Sequence, residues 1–96
     1  MADAAPKHVG ILGILEDLRG SLELQMGQEK PVRDERFTVT ITRESLYLYR
    51  LAIIDSRQPS AELLRPREQT HRSADKALLF AANRIKDRLA EETRAR

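Results

Sequence analysis

The stretch that decides the fold is residues 36–42, which reads RFTVTIT. Phe37, Val39 and Ile41 fall on one side of an extended chain, and three threonines alternate with them on the other side. This period-two alternation of β-branched and aromatic residues is typical of a strand with one buried face. A single strand leaves its backbone N–H and C=O groups unpaired. Residues 36–42 therefore require a partner strand, either in this chain or in a second copy of it.

The chain on the N-terminal side of this stretch supplies one candidate partner. Residues 21–26 alternate between polar and apolar side chains, which predicts a second strand. The charged stretch 27–35 contains Pro31 and is interpreted as a loop. The two strands would then form an antiparallel hairpin, with this loop joining them.

The chain on the C-terminal side, residues 42–56, admits two interpretations. As a helix it begins at Thr42, and its apolar side chains surround the axis, so it needs burial in a dimer. As a strand it covers residues 46–54, and residues 42–45 form a tight turn. Both sides of that strand are apolar, so one face needs a cover, which again predicts a homodimer or a protein partner. The sequence leaves the two interpretations open.

Helices are predicted at both ends of the chain. Apolar side chains at helical spacing predict a helix over residues 6–19, ended by Gly20. A second amphipathic helix is predicted over residues 73–92, with Ser73 as its N-cap and Asp75 in its first turn. The predicted fold is therefore α+β. It consists of an N-terminal helix, a small antiparallel sheet of two or three strands, and a C-terminal helix. If only two strands form, dimerisation completes the sheet.

One domain is expected over residues 1–96 because the length allows one hydrophobic core. Residues 56–72 form a basic connector that contains two prolines, and residues 60–65 within it predict one helical turn. We expect residues 1–5 and 93–96 to fray.

The composition argues against several chemistries. The chain has no cysteine, so disulfides, thiolate metal sites and cysteine nucleophiles are excluded. His8 and His71 lack metal-ligand spacing, and no glycine-rich loop suited to phosphate is present. We therefore expect no enzyme activity, no catalytic residues, no metal site and no cofactor. We also expect a cytoplasmic protein with no membrane partner, because no apolar stretch reaches the roughly 20 residues that span a bilayer.

Charge is distributed unevenly along the chain. Residues 1–35 carry four basic and seven acidic side chains, a balance of −3. Residues 36–96 carry thirteen basic and eight acidic side chains, a balance of +5, and eleven of the thirteen are arginine. The planar guanidinium suits phosphate and carboxylate groups. The basic half therefore predicts an acidic partner, nucleic acid first among them.

The run RFTVTIT followed by RESLYLYRLA resembles the strand and first helix of a ribbon-helix-helix repressor. The resemblance implies that two chains pair their strands into a ribbon that enters the major groove of DNA. Arg36, Thr38 and Thr40 would then face base edges, and the N-terminus of the helix over residues 73–92 would contact a phosphate. That family joins its two helices by a short turn, whereas here a connector with two prolines intervenes.

Two functions are consistent with these patterns. The first is a regulatory protein that binds nucleic acid, DNA in preference to RNA, as a homodimer through its Arg-rich C-terminal half. The alternative is an adaptor or inhibitor that uses an apolar sheet face and a basic surface to bind an acidic protein. The predicted nucleic-acid contacts are Arg36, Thr38, Thr40, Arg43, Arg65, Arg67, Arg72 and Lys76. The predicted dimer contacts are Phe37, Leu48, Tyr49 and Ile53.

Overall fold

A computed structural model of the protein describes residues 10–60 and 63–95. It contains a four-stranded antiparallel sheet in the order β1-β2-β3-β4 and two helices, so the predicted α+β class is confirmed. The sheet has four strands within the described chain, rather than the two or three that were predicted. In chain order the elements are α1 (Ile11–Leu18), β1 (Glu29–Arg33), β2 (Phe37–Ser45), β3 (Leu48–Asp55), a 3-10 turn (Pro66–Glu68), β4 (Thr70–His71) and α2 (Ala74–Arg94).

Strand β2 is the centre of the sheet, and its alternation decides which face is buried. Phe37, Val39 and Ile41 lie at most 2% exposed beneath the helices, while Thr38 and Thr40 lie on the opposite face. β2 pairs with β1 along one edge and with β3 along the other. Its backbone groups therefore find their partners within one chain. The intermolecular ribbon that the repressor resemblance implies is wrong.

Strand β3 settles the ambiguity of residues 42–56. The strand interpretation is confirmed and the helix interpretation is wrong, because residues 48–55 are extended and paired with β2. The turn lies at Leu46 and Tyr47 and not at residues 42–45, since β2 continues to Ser45. A register shift near Arg43 accommodates this extra length, as an irregularity of the β-bulge type does.

Strand β1 occupies part of the stretch that was interpreted as a loop, and residues 22–25, predicted as a strand, have no regular secondary structure. Pro31 explains the error. Arg43 N–H donates to Gln28 O, so the backbone N–H and C=O groups of the even-numbered residues in β1 point towards β2. The backbone nitrogen of Pro31 therefore points away from β2, towards the solvent edge. A proline at that position lacks only an N–H that the ladder does not use.

Asp34, in the turn between β1 and β2, ties the hairpin to α1. Its Oδ2 accepts a hydrogen bond from Ile11 N at 2.8 Å, at the first residue of α1. Its Oδ1 accepts from the N–H groups of Arg36 and Phe37, both at 2.7 Å. Burial alone raises the pKa of Asp34, but these three backbone donors outweigh it and the pKa lies below its ordinary value.

Both helices pack on the face of the sheet that carries Phe37. Helix α2 begins where it was predicted, because Ser73 Oγ accepts a hydrogen bond from Lys76 N at 3.1 Å. Helix α2 contributes more core residues than any other element. A large apolar side chain contributes about 1.5–3 kcal/mol to stability when it is fully buried. The core residues are Ile11, Leu15, Phe37, Val39, Ile41, Leu51, Ile53, Leu63, Leu64, Ala77, Leu78, Ala81 and Ile85.

The connector between β3 and α2 is anchored to the core. Leu63 and Leu64 are both buried, and the 3-10 turn and β4 follow them. The predicted helical turn over residues 60–65 falls partly on residues 61 and 62, which lie outside the described chain. Residues 6–9 of the predicted first helix also lie outside the described chain. In the rest of that prediction, residues 10–19, helix α1 covers Ile11–Leu18.

Candidate nucleic-acid interface

Arg36 stands at the centre of an ion-pair cluster at one end of the sheet. Its Nε donates to Asp55 Oδ1 at 2.9 Å and its Nη2 donates to Asp55 Oδ2 at 2.8 Å. Its Nη1 donates to Glu92 Oε1 at 2.8 Å, and its Nη2 also contacts Glu92. Arg88 Nε lies 3.5 Å from Asp55 Oδ2. These four residues are called the Asp55 network below.

In the Asp55 network the carboxylate of Asp55 is fully buried, and Glu92 at the edge is partly exposed. Hydrogen bonds from Arg36 lower the pKa of Asp55 to about 2, against the opposing effect of burial. Hydrogen bonds from Arg36 also lower the pKa of Glu92, and in return those with Glu92 and Asp55 raise the pKa of Arg36. Only 13% of the Arg36 side chain is exposed. The network therefore joins the start of β2, the end of β3 and α2, and Arg36 is committed to the fold.

Arg43, a second predicted nucleic-acid contact, is also occupied. Its Nη1 donates to Leu24 O at 2.7 Å and its Nη2 donates to Leu46 O at 3.1 Å. The guanidinium lies over the Tyr49 ring, 5.5 Å from the centroid. Arg43 thus fastens residues 22–25 to the β2–β3 turn, which leaves little of its hydrogen-bonding capacity for a ligand.

Two further arginines of the basic half are neutralised by acids. Arg50 donates to both carboxylate oxygens of Glu44, at 2.6 and 3.1 Å. Arg84 donates to Glu68 at 3.0 Å. Four of the thirteen basic side chains of residues 36–96 (Arg36, Arg50, Arg84 and Arg88) are therefore paired with acids of the same half, so the +5 balance rests on the cations that remain.

Four further cations lie in the connector and the first turn of α2. Arg65, Arg67, Arg72 and Lys76 are exposed, and no ion pair involves them in the part of the chain that the structure describes. The neighbouring acid Glu68 accepts the N–H of Arg65 at 2.8 Å, besides its pair with Arg84, and its pKa is lowered. These four cations are called the basic segment.

A cleft opens beside the basic segment, at the end of the sheet opposite the Asp55 network. Its volume is about 480 Å³. Tyr47 stands at the β2–β3 turn with 72% of its surface exposed. The Nε2–H of His71 donates to Glu68 O at 2.8 Å, and its ring packs 5.2 Å from the Phe80 ring, so the imidazole is held in one orientation. The residues that line this rim cleft are Tyr47, Leu48, Thr70, His71 and Arg72.

Thr38 and Thr40 lie apart from the basic segment, because β3 separates their strand from β4. They are on the face of the sheet turned away from α1 and α2, called the open face below, on which none of the described helices packs. At about 4.8 Å per strand, β1, β2 and β3 together occupy about 14 Å. The major groove is about 12 Å wide and admits a helix or a two-stranded ribbon. The geometry therefore does not bring these threonines to base edges of a duplex.

The predicted dimer contacts divide between the two faces. Phe37 and Ile53 are 2% and 8% exposed and lie in the core of a single chain, and Tyr49 is half-buried against that core. Leu48 lies on the open face and is 37% exposed. Ile54, 52% exposed, lies on the same face and was not among the predicted contacts, although the period-two pattern starting from Leu48 places it there. Tyr47 was also not among them, because its exposure depends on the position of the turn.

Comparison of the chain with protein-family models, with curated proteins and with solved structures finds no match. Within residues 10–60 and 63–95, no helix is long and apolar enough to cross a membrane. The same residues contain no group of three or more histidine, aspartate or glutamate side chains arranged to hold a metal ion. The inference of function therefore rests on the site itself.

Proposed function

We propose that the protein is a non-enzymatic binding protein for single-stranded nucleic acid, which it holds at the basic segment and the rim cleft. The observation that carries the proposal is the pairing of exposed cations with an exposed aromatic ring. The basic segment forms no ion pair among the described residues, and Tyr47 stands 72% exposed in the cleft that Arg72 also lines. Cations that follow a phosphate backbone and aromatic rings that stack on bases are the two features that bind single strands.

Each part of the site has a role that its chemistry supports. Arg65, Arg67 and Arg72 present guanidinium forks, which bind phosphate oxygens in a bidentate manner. The Tyr47 ring offers a face on which any base stacks, so it contributes affinity without selecting a sequence. Thr70 contributes a hydroxyl group within the cleft and is the polar residue best placed to contact a sugar or base edge.

Two observations argue against the duplex contacts that the repressor resemblance implies. The open face is wider than the major groove, so it does not enter a duplex as a two-stranded ribbon does. The N-terminus of α2 carries Asp75 in its first turn, where the carboxylate accepts the N–H of Gly20 at 2.8 Å. The repressor resemblance implies a phosphate contact at this helix terminus, and the negative charge of Asp75 opposes that contact.

The proposal is tested by fluorescence anisotropy with short labelled single-stranded DNA, single-stranded RNA and duplex DNA at several salt concentrations. We expect both single strands to bind more tightly than the duplex. The slope of log K against log salt is about −0.7 per phosphate contact for single strands, so four contacts give a slope of roughly −3. The two single-stranded probes distinguish DNA from RNA. Failure of all three oligonucleotides to show salt-dependent binding contradicts the proposal and favours an acidic protein as the partner.

A pair of matched variants locates the binding site. Replacing Arg65, Arg67 and Arg72 together by alanine should weaken single-strand binding roughly 100-fold near 0.1 M salt, since each phosphate contact contributes about 0.7 in log K there. The control replaces Arg57, Lys86 and Arg94 by alanine, which removes the same charge at exposed positions outside the rim cleft. Equal weakening by the two triple variants would show that only net charge matters, and the proposed site would be wrong.

A further inference from the structure

The open face of the sheet is an uncovered surface with an unusual composition. Both described helices pack on the opposite face, and an antiparallel sheet with one solvated face usually carries polar side chains there. In β3, however, three of the four outward side chains are apolar. Ile54 is 52% and Leu48 is 37% exposed, and Ala52 lies between them. β2 contributes a row of threonine methyl groups beside them.

In β1 and β3 the charged residues on this face are Glu29, Arg33 and Arg50. Arg50 is neutralised by Glu44. Glu29 and Arg33 stand at the two ends of β1, and neither forms an ion pair with another described residue. Halfway between them the register aligns three small or uncharged residues, Pro31, Thr40 and Ala52, in one row across the sheet.

The edge of β1 is poorly suited to a second copy of the chain. Continuation of the sheet across this edge needs a regular row of outward N–H groups, and Pro31 removes the central one. Proline on an edge strand is one of the devices that prevent edge-to-edge pairing. The face of the sheet, and not this edge, is therefore the surface available to a partner.

We propose that a second copy of this chain docks on the open face, related by a two-fold axis that runs across the strands through the row Pro31, Thr40 and Ala52. Rotation about this axis reverses the strand direction and keeps the order of strands. Each Glu29 then meets the partner's Arg33, and each Arg33 meets the partner's Glu29, so the two unpaired charges of the face neutralise each other. An isologous interface requires this kind of self-complementarity, in which residue i meets j and j meets i.

The small residues on the axis allow the two sheets to approach to about 10 Å, the usual separation of packed sheets. The eight register pairs of β2 and β3 and the width of three strands give a footprint of about 400 Å² per copy. That is about half of the roughly 800 Å² per partner of a standard interface, so we expect a weak dimer that dissociates at micromolar concentration. Because the axis keeps the strand order, both β4 strands and both basic segments lie along the same side of the dimer.

Sedimentation velocity in the absence of nucleic acid tests this dimer separately from the proposed function. The wild-type chain should pass from monomer to dimer across the micromolar range. Glu29→Arg alone or Arg33→Glu alone should weaken dimerisation roughly thirtyfold, because two symmetric exposed attractions become two repulsions. The double variant, Glu29→Arg with Arg33→Glu, should restore dimerisation to within about threefold of the wild type, because the charges are exchanged and remain complementary.

Two further variants complete the test. Lys86→Glu reverses one exposed charge on α2, as Arg33→Glu does on the sheet, and should leave dimerisation unchanged. Thr40→Arg places two guanidinium groups on the axis and should abolish the dimer, with circular dichroism confirming that the monomer is folded. A wild-type chain that stays monomeric at all concentrations overturns the proposal. So does a double variant no better than either single variant, or a Thr40→Arg chain that dimerises normally.

Discussion

Arginine has opposite roles at the two ends of β3. At the Asp55 end, Arg36 and Arg88 surround a carboxylate whose side chain is fully buried, and their charges are spent inside the protein. At the Leu48 end, the basic segment points outward beside the rim cleft and has no acidic partner among the described residues. The same residue type, in the same half of the chain, therefore holds the fold together in the Asp55 network and is free for a ligand in the basic segment.

The comparison shows that a charge balance does not locate a binding surface. The balance of +5 in residues 36–96 counts paired and unpaired arginines alike. The paired arginines differ from the unpaired ones because acidic side chains lie next to them in the folded protein. Asp55, Glu92 and Glu68 fall next to Arg36, Arg88 and Arg84 only after the sheet and α2 have packed. The basic segment is the group of remaining cations that lies beside a cleft, and it therefore defines the candidate interface.

The largest expected effect is the loss of stability when the Asp55 network is broken. Arg36→Ala leaves Asp55 buried without its bidentate partner, and removing one partner of a buried ion pair costs about 3–5 kcal/mol. Urea unfolding of the variant and the wild type measures this difference. Arg36→Lys is the matched control, which keeps the charge but not the planar fork, and should recover only part of the loss. A change below about 1 kcal/mol for Arg36→Ala, the level of a surface pair, would contradict the assignment.

At the Leu48 end of β3, removal of the Tyr47 side chain should affect ligand binding and not folding. Tyr47→Ala should reduce the free energy of single-strand binding by roughly 1–3 kcal/mol, which is the contribution of one stacked base. Tyr47→Phe keeps the ring and should bind like the wild type. Anisotropy titrations of the three proteins with one oligonucleotide measure the difference. If both variants lose the same affinity, the hydroxyl group and not the ring face makes the contact.

Acid should weaken the Asp55 network and thereby the fold. The pKa of Asp55 in the folded protein, about 2, lies below its ordinary value of 3.8, so its stabilising effect is complete above about pH 4. The effect is lost as the pH falls from about 4 towards 2, and a shift of this size corresponds to about 2 kcal/mol. Glu92 is shifted in the same direction and adds to the loss.

The free energy of unfolding, measured with urea at pH 5 and again near the folded pKa of Asp55, gives the acid sensitivity. In Asp55→Asn the carboxyl group that titrates is absent, so this variant is less stable at pH 5 but loses less on acidification. An equal loss in the variant and the wild type would show that other carboxylates carry the acid sensitivity.

The smallest expected effect is on the stability of the triple variant of the basic segment. Replacing Arg65, Arg67 and Arg72 by alanine should change the free energy of unfolding by no more than about 0.5 kcal/mol, because these side chains are exposed and unpaired among the described residues. Thermal unfolding followed by circular dichroism measures this. A loss of several kcal/mol would mean that the basic segment is part of the fold, as the Asp55 network is.

The alternation of residues 36–42 was sufficient to predict β2 and its buried face, and the helical patterns at both ends of the chain completed the α+β class. Ser73 was sufficient to place the start of α2. These features depend on local periodicity and capping. One of the two partners of β2 was wrongly predicted as residues 21–26, because Pro31 marks a loop in the sequence. A strand tolerates the missing N–H of Pro31 only if that position points to the solvent edge. The register of β1 with β2 decides which edge it points to.

The candidate site was predictable only in part. Arg65, Arg67, Arg72 and Lys76 were predicted as contacts from the charge of the connector, and they remain exposed. Arg36 was indistinguishable from them in the sequence, because its partners Asp55 and Glu92 are distant along the chain and meet it only in the packed structure. The rim cleft likewise brings Tyr47 to Arg72 through the pairing of β3 with β4, a pairing of only two residues that leaves no recognisable pattern.

The central claim is that the ligand meets the basic segment and the rim cleft and does not meet the Asp55 network. NMR tests it most directly, by titration of the ¹⁵N-labelled protein with a short single-stranded oligonucleotide. We predict that the amides of Tyr47 and Arg72 and the Nε–H signals of Arg65 and Arg67 shift, while the Nε–H signal of Arg36 does not move. Shifts centred on Arg36, or an absence of shifts anywhere in the rim cleft, would contradict the account.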